Sequence, residues 1–539
     1  MSQKPVKQAK NNLSPNSNQS LNKEVIDNNQ NLSEGNVQST FSVSASPSNS
    51  IIKTYQPIQT PISELDETKT LVHTVSSTIF DIHFLPLIFE PKPLLSEVKG
   101  EDFHSIFITK CQQIGQVLDF SNDSNLEEKE AKGMMLDDLL HAVSDPEIVS
   151  HLQENEYTAL YNCFIKNNVR IMPKPPDIWF APVCLDFKLD IVEETGWPHL
   201  SLMYDVMTAF LSNPKFHSHY CPDITKSLFK SIILMFESPD QRERLKLTTL
   251  FHAFYKAFRG LRNDAQKICS VYLRQFTYCG DPNLCCQELL FTFVPIFSGY
   301  KVPLNPNHIR FFIEAVIPLH RSPNLYQFHN SLVSATTAML MKNNKLSTFV
   351  FHEIFTHWPF TSPTKKIMLL KELELLADFV DKEEEKKIIL PFTLLMAHCI
   401  DDQNFAVVER SLLIWESDSI MRITRSNIPV IFPLILPQIY KTILTHWSND
   451  VKSLAIRTMR VLKGINQAAF DQVGLDIKKI ENDKILKELK KGSTWNKLID
   501  LYGENQEEKA DFKEKLSKTF IGCEALSSRN PSSKTFNRV

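Results

Sequence analysis

At 539 residues, 42% hydrophobic and 22% charged, the chain is long enough for about three or four ordinary domains or one long repeat array. A formal net charge of −3 provides no global basic field, which argues against nucleic acid as a partner. Glycine is scarce at 13 residues, which argues against Gly-dependent nucleotide cradles and sheet-rich folds.

Residues 1–71 are rich in Asn, Ser, Gln and Pro. Such a segment cannot bury enough apolar surface to offset its ordering entropy, so a disordered tail is predicted. Ser46-Pro47 and Thr60-Pro61 are candidate phosphorylation sites within it. The first 50 residues lack an apolar h-region, so no secretory signal is expected. Order is expected from Val72. Apolar residues recur every three or four positions in FHSIFITKCQQIGQVLDF (103–120), in EEKEAKGMMLDDLLHAVSD (127–145) and over 154–169, giving three helices. A loop follows at 173–177, and WPHLSLMYDVMTAFL (197–211) starts a helix with proline in its first turn, where the missing N–H costs little.

The same pattern continues through SPD, DPN, NPNH, HWPFTSPT and HWSND turns, and period-2 alternation is nearly absent, so no sheet is predicted. Helix–turn–helix units of roughly 40 residues without strands predict an all-α solenoid of HEAT or armadillo type, whose inner helices form an extended surface for peptides or proteins. The most apolar run, IPVIFPLILPQIY (428–440), is interrupted by prolines and falls short of a membrane span, so it is read as buried core. From Ile477 the chain is a charged, Lys-rich amphipathic helix or helix pair, with a polar tail beyond residue 502. The organisation expected is a tail (1–71), a solenoid (72–475), a charged helix (476–502) and a flexible tail (503–539).

Candidate chemistry is sparse. The ten cysteines form no CxxC framework, and reduced thiols in a cytoplasmic or nuclear protein account for them. His217, His219 and Cys221 in HSHYC are possible metal ligands without a fourth partner. The acidic run Glu383, Glu384 and Glu385 is expected to be a solvated helix face. No GxxxxGK[ST], GxSxG, HExxH or kinase-type motif occurs, so neither catalysis nor a cofactor is expected.

One stretch, ESPDQRERLKLTTLFHAFYKAFRGLRNDAQKICSVYLRQF (237–276), carries an unusual pattern. It reads as two helices joined near 261–264. His252, Tyr255, Arg259 and Arg262 stand at i, i+3, i+7 and i+10 and so would share one face. Two guanidinium groups, an imidazole and a phenol on one face could grip an acidic peptide. The plainer alternative is an amphipathic helix with half-buried rings and solvated arginines.

Taken together, the segments resemble the B-prime regulatory subunit family of protein phosphatase 2A. They are WPHLSLMYDVMTAFLSNPKF (197–216), FESPDQRERLKLTTL (236–250), HAFYKAFRGLR (252–262), VPLNPNHIRFFIEAVIPLH (302–320), LYQFH (325–329), HWPFTSPTKKIMLLKELELLAD (357–378), VERSLLIWESDSIM (408–421) and THWSNDVKSLAIRTMRVLKGIN (445–466), with a Lys-rich helix bearing Trp495 beyond. The resemblance covers roughly residues 85–500. It implies a horseshoe-like array of about eight HEAT-like repeats that docks on the phosphatase scaffold subunit and touches the catalytic subunit. It also implies recruitment of substrates bearing short acidic, often phosphorylated, LxxIxE motifs, with chemistry left to the catalytic subunit. By the same resemblance His252, Tyr255, Arg262 and His308 align with motif-binding residues, and Thr292 and Ile296 with the pocket for the motif's apolar side chain. Two departures stand out: Ala253 replaces an arginine that reads acidic positions, and Thr292 replaces an isoleucine. The missing arginine removes charge-assisted hydrogen bonds of about 1.5–3 kcal/mol each, and Arg259, expected on the same stripe, would partly restore the charge. The alternative is a free-standing solenoid adaptor or transport-type protein that no longer binds a phosphatase.

Overall fold

The computed structural model of the chain describes residues 72–75, 89–98, 100–121, 123–172, 191–278, 285–502, 507 and 509–515. All of them belong to the compact unit Lys69–Val539. The first ten helices are α1 (Glu101–Ile114), α2 (Leu126–Ser144), α3 (Pro146–His151), α4 (Glu154–Asn168), α5 (Trp197–Ser212), α6 (Pro222–Met235), α7 (Gln241–Ala257), α8 (Arg262–Tyr278), α9 (Cys286–Ser298) and α10 (Pro306–Phe311). From α10 the chain passes through a π-helical turn, Phe312–Val316, and a 3-10 turn, Ile317–Arg321. There follow α11 (Leu325–Leu340), α12 (Ser347–Thr356), α13 (Pro363–Leu376), α14 (Lys382–Ile400), α15 (Phe405–Leu413), α16 (Asp418–Ser426), α17 (Ile428–Thr445), α18 (Asn449–Ile465) and α19 (Gln467–Tyr502).

The helices stack in two layers. In one, α2, α5, α7, α9, α11, α13, α15 and α18 each pack on the next. In the other, α1, α4, α6, α8, the 312–321 turns, α12, α14, α17 and α19 do the same. With the 312–321 turns counted as the partner of α11, consecutive elements from the two layers make eight pairs among the described residues, from α1–α2 to α17–α18, which is an α-solenoid of HEAT-like repeats. Each pair buries its apolar face on its neighbours, and α7 contributes Leu247, Leu250, Phe251 and Phe254, all fully buried. Burial of each such side chain stabilises by about 1.5–3 kcal/mol.

Ion pairs tie successive repeats together at the repeat period. Lys246 reaches Asp205, Arg244 Glu288, Lys366 Asp402, Arg422 Glu385 and Lys441 Asp401, at N–O distances of 2.6–3.1 Å and sequence separations of 36–44 residues.

Several expectations need correction. A sheet was not predicted, yet Val72–Val75 (β1) pairs in parallel with Ile191–Glu194 (β2), Val72 opposite Ile191. Four residues are too few to display an alternating pattern. The first helix ends at Ile114, short of Phe120. Prolines do not interrupt 428–440: α17 runs through Pro433 and Pro437. The N–H that Pro433 lacks would have bonded the Pro429 carbonyl, and that of Pro437 the Pro433 carbonyl. Both defects therefore fall on one stripe, with Pro433 exposed, while Ile431, Phe432, Ile435, Leu436 and Ile439 are buried opposite. Among the described residues this helix alone is long and apolar enough to cross a membrane, and it packs here against α14, α18 and α19. The charged terminal helix is a single element starting at Gln467. Residues 509–515, expected in a flexible tail, are helical, with Lys513 Nζ 2.5 Å from Asp500 Oδ1. The acidic run is a solvated face only at Glu383, which is exposed: Glu384 and Glu385 are buried, and Glu385 accepts from Arg422 at 2.7 Å and Asn427 at 3.3 Å. The tail over 1–71 and the loop at 173–177 lie outside the described residues.

Candidate functional site

The turn Ser238-Pro239-Asp240 fixes where α7 starts. Asp240 Oδ1 accepts the Arg242 N–H at 2.8 Å, capping the helix, while Oδ2 accepts the Glu194 N–H at 2.9 Å. One turn on, the fully buried Glu243 accepts from both Arg170 Nη atoms at 2.7 and 2.9 Å and from Tyr204 Oη at 2.7 Å. A buried carboxylate satisfied this fully holds its helix in one position. It carries His252 and Tyr255 at the far end of α7 to a defined place.

There the single stripe does not form. Helix α7 ends at Ala257, and Arg259–Leu261 is a 3-10 turn. His252 and Tyr255 therefore lie on α7, Arg259 in the turn, and Arg262 at the start of α8. Phe258, at φ −107° and ψ 81°, leaves helical geometry, and its burial decides the break. Arg262 nevertheless returns to Tyr255 by folding back. Its Nε donates to the Tyr255 carbonyl at 2.8 Å, and its guanidinium carbon lies 5.0 Å above the Tyr255 ring. The contact is a cation–π interaction combined with a cap on the end of α7. Arg259 is exposed.

Two residues that spacing does not single out complete the cluster. Gln266 Nε2 donates to Tyr255 Oη at 3.2 Å and to Tyr300 Oη at 2.7 Å. The Tyr300 ring stacks on His308, with centroids 3.7 Å apart and planes 9° from parallel. Asn305 sets the position of His308 by capping α10, its side chain accepting the Asn307 N–H at 2.9 Å. Tyr255, Arg262 and His308 are thus joined through Gln266 and Tyr300. The link joins residues of α7, α8 and α10 and one just after α9, so helical periodicity within one element could not reveal it. Tyr300, an aromatic residue directly before the turn, was the one available hint.

Burial is the leading influence on titration here. It lowers the pKa of His308, helped by the Arg262 charge, and that of His252, helped by Lys256. It raises those of Tyr255 and Tyr300. At neutral pH the rings are therefore uncharged and the cationic character comes from Arg262 with the exposed Lys256 and Arg259. Thr292 and Ile296 lie one turn apart on the buried face of α9 and expose no more than 5% of their surface. The Thr292 hydroxyl donates to the Glu288 carbonyl at 2.9 Å. Ala253 is buried and adds no polar group.

Among the described residues no group of three or more His, Cys, Asp or Glu side chains could hold a metal. Cys221 instead precedes α6 with φ 54°, its Sγ 3.0 Å from Thr158 Oγ1.

The model of the protein phosphatase 2A regulatory B subunit (B56) family matches residues 92–502. The chain is 29% identical to the mouse (Mus musculus) serine/threonine-protein phosphatase 2A 56 kDa regulatory subunit alpha isoform over 414 residues, 76% of this chain and 84% of that protein. It is 28% identical to the phosphatase 2A regulatory subunit pptr-1 of Caenorhabditis elegans, covering 70% of this chain and 69% of that one. With the delta 1 isoform of Schizosaccharomyces pombe it shares 26% over 77% of this chain and 75% of the relative. The match runs from just before α1 to the last residue of α19 and so takes in all eight pairs: the chain belongs to the B56 family of protein phosphatase 2A regulatory B subunits.

Proposed function

We propose that the chain is the non-catalytic regulatory subunit of a phosphatase 2A holoenzyme. In this reading it binds the scaffold and catalytic subunits and recruits substrates through a surface for short acidic, LxxIxE-like motifs. The observation that carries the recruiting role is the Tyr255–Arg262–Gln266–Tyr300–His308 cluster, in which buried aromatic bodies sit beneath a cationic rim. The Nε of Arg262 is committed to the Tyr255 carbonyl and Nη2 donates to the Lys256 carbonyl at 3.4 Å, which orients the guanidinium and leaves Nη1 to meet a carboxylate.

Fluorescence anisotropy with a labelled LxxIxE peptide tests this. Arg262→Ala removes a charge-assisted hydrogen bond of about 1.5–3 kcal/mol, so affinity is expected to fall about tenfold or more. A melting curve on the same variant separates this loss from damage to the α7 cap. Arg259→Ala, in an exposed turn off the shared stripe, is expected to cost about twofold or less. Peptide binding indifferent to Arg262, or no binding by the native chain, would contradict the recruiting role.

A further inference from the structure

Ahead of the described residues the chain carries a segment complementary to the ring cluster. ISELDE (62–67) keeps the spacing of an LxxIxE motif, with Ile62 first, Leu65 fourth and Glu67 last. Ile and Leu have exchanged places relative to the motif, a volume-conserving swap. Residues 1–71 contain six carboxylates, and three of them, Glu64, Asp66 and Glu67, fall within this one segment. Acidic charge is therefore concentrated where two apolar side chains stand three residues apart. The ring cluster offers the converse, buried aromatic bodies beneath Arg262, with Lys256 and Arg259 exposed beside it.

The chain also enters the fold beside the right helix. Val72 begins β1, which pairs with β2 so that Val75 stands opposite Glu194. The Glu194 N–H donates to Asp240, the residue that caps α7. Helix α7, with 17 residues, is about 25 Å long and carries His252 and Tyr255 at its far end. Ten residues separate Ile62 from Val72, and extended they span up to about 33 Å. A second segment, LPLIFE (85–90), also has the spacing of the motif, but it holds a single carboxylate. It lies five residues before Leu95, which is buried and whose N–H donates to Asp138 on α2, in the first repeat. Charge and tether both favour 62–67.

We propose that residues 62–67 dock on the ring cluster of their own chain and compete there with substrate motifs. This rests on the recruiting role proposed above and adds an intramolecular brake to it.

The test is anisotropy with a labelled LxxIxE peptide on the full native chain and on the full chain carrying Leu65→Ala/Glu67→Ala. Both positions precede the family match at 92–502, so the variant leaves the stacked pairs unaltered. A tethered segment acts at an effective concentration of about 1 mM, and one whose Kd is about 100 μM lowers a competitor's apparent affinity about tenfold. The variant is therefore expected to bind the labelled peptide about tenfold tighter than the native chain. A synthetic peptide of residues 57–71 is expected to displace the label from the variant. Equal affinities, or no displacement, would overturn the self-docking and leave the recruiting role standing. A native chain that runs as a dimer in mass-detected chromatography, against a monomeric variant, would seat the segment on a second copy and contradict the intramolecular brake. If neither form binds the labelled peptide, the recruiting role itself fails, and this inference with it.

Discussion

At the end of α7 the carbonyls of Tyr255 and Lys256 have run out of partners within the helix, and Arg262 donates to both, at 2.8 and 3.4 Å. The same side chain stands over the Tyr255 ring and helps to depress the pKa of His308. A structural cap and the charge proposed to face the ligand are therefore one residue. The depressed pKa has a readable consequence. In the free chain His308 is neutral at pH 7, and it gains its proton only below its ordinary value of 6.5. An anionic peptide favours the protonated ring, so affinity is expected to rise as pH falls from about 7.5 to 5.5, while peptide carboxylates stay ionised. His308→Asn should flatten the profile; a native affinity independent of pH over this range would contradict a ligand-facing imidazole. The residue types were legible in the sequence, but their partners were not. His252, Tyr255, Arg259 and Arg262 fit one helical face only if the helix continues past Phe258, and a buried Phe258 outside helical geometry is a tertiary decision.

Elements succeed or fail as predictions according to how much of their signal is local. The starts of α5 and α7 carry their own proline or cap signals and were read correctly. The irregular 312–321 stretch carries one local signal, Pro318 in the first turn of its 3-10 segment, and the rest of its reason lies in what it packs against. His320 is buried there with both ring nitrogens facing acceptors: Nδ1 the Ile317 carbonyl at 2.6 Å, Nε2 the Glu372 carboxylate at 2.9 Å. Only the doubly protonated ring satisfies both. Glu372 also accepts from His329 Nε2 at 2.9 Å, so one buried carboxylate on α13 joins the 3-10 turn to α11. Burial alone would lower the pKa of His320, but Glu372 outweighs it and the net direction is upward, while Glu372 itself falls to about 2. The sign follows from linkage. The raised His320 stabilises fully below pH 6.5, and this is lost as pH rises through its folded pKa. The lowered Glu372 stabilises fully above pH 4.5, and this is lost as pH falls through about 2. His320→Gln is expected to cost about 3 kcal/mol near pH 6, since it leaves a buried carboxylate under-compensated. The difference in melting temperature from the native chain should narrow above pH 7. A difference that stays constant from pH 6 to 9 would contradict a buried imidazolium.

At the scale of the whole array, the repeat period was legible from turn spacing, and it returns in the structure as ion pairs 36–44 residues apart. The chemistry of those pairs was not legible. Glu384 and Glu385 look like surface residues in a charge run, and only a neighbouring repeat, through Thr348 or Arg422, makes them interior. In the same way the β1–β2 pair joins segments far apart in sequence through four residues each, which no local pattern announces. Family membership spans residues 92–502, the whole stack rather than the ring cluster alone. A surface spread along such a stack is what docking on another helical array would use. The most direct test is size-exclusion chromatography with mass detection, mixing the full chain with a purified scaffold–catalytic phosphatase 2A dimer. A single peak with the mass of a one-to-one-to-one complex is the predicted result. A chain that elutes alone while keeping its helical circular dichroism would contradict the holoenzyme role and leave a free-standing solenoid adaptor.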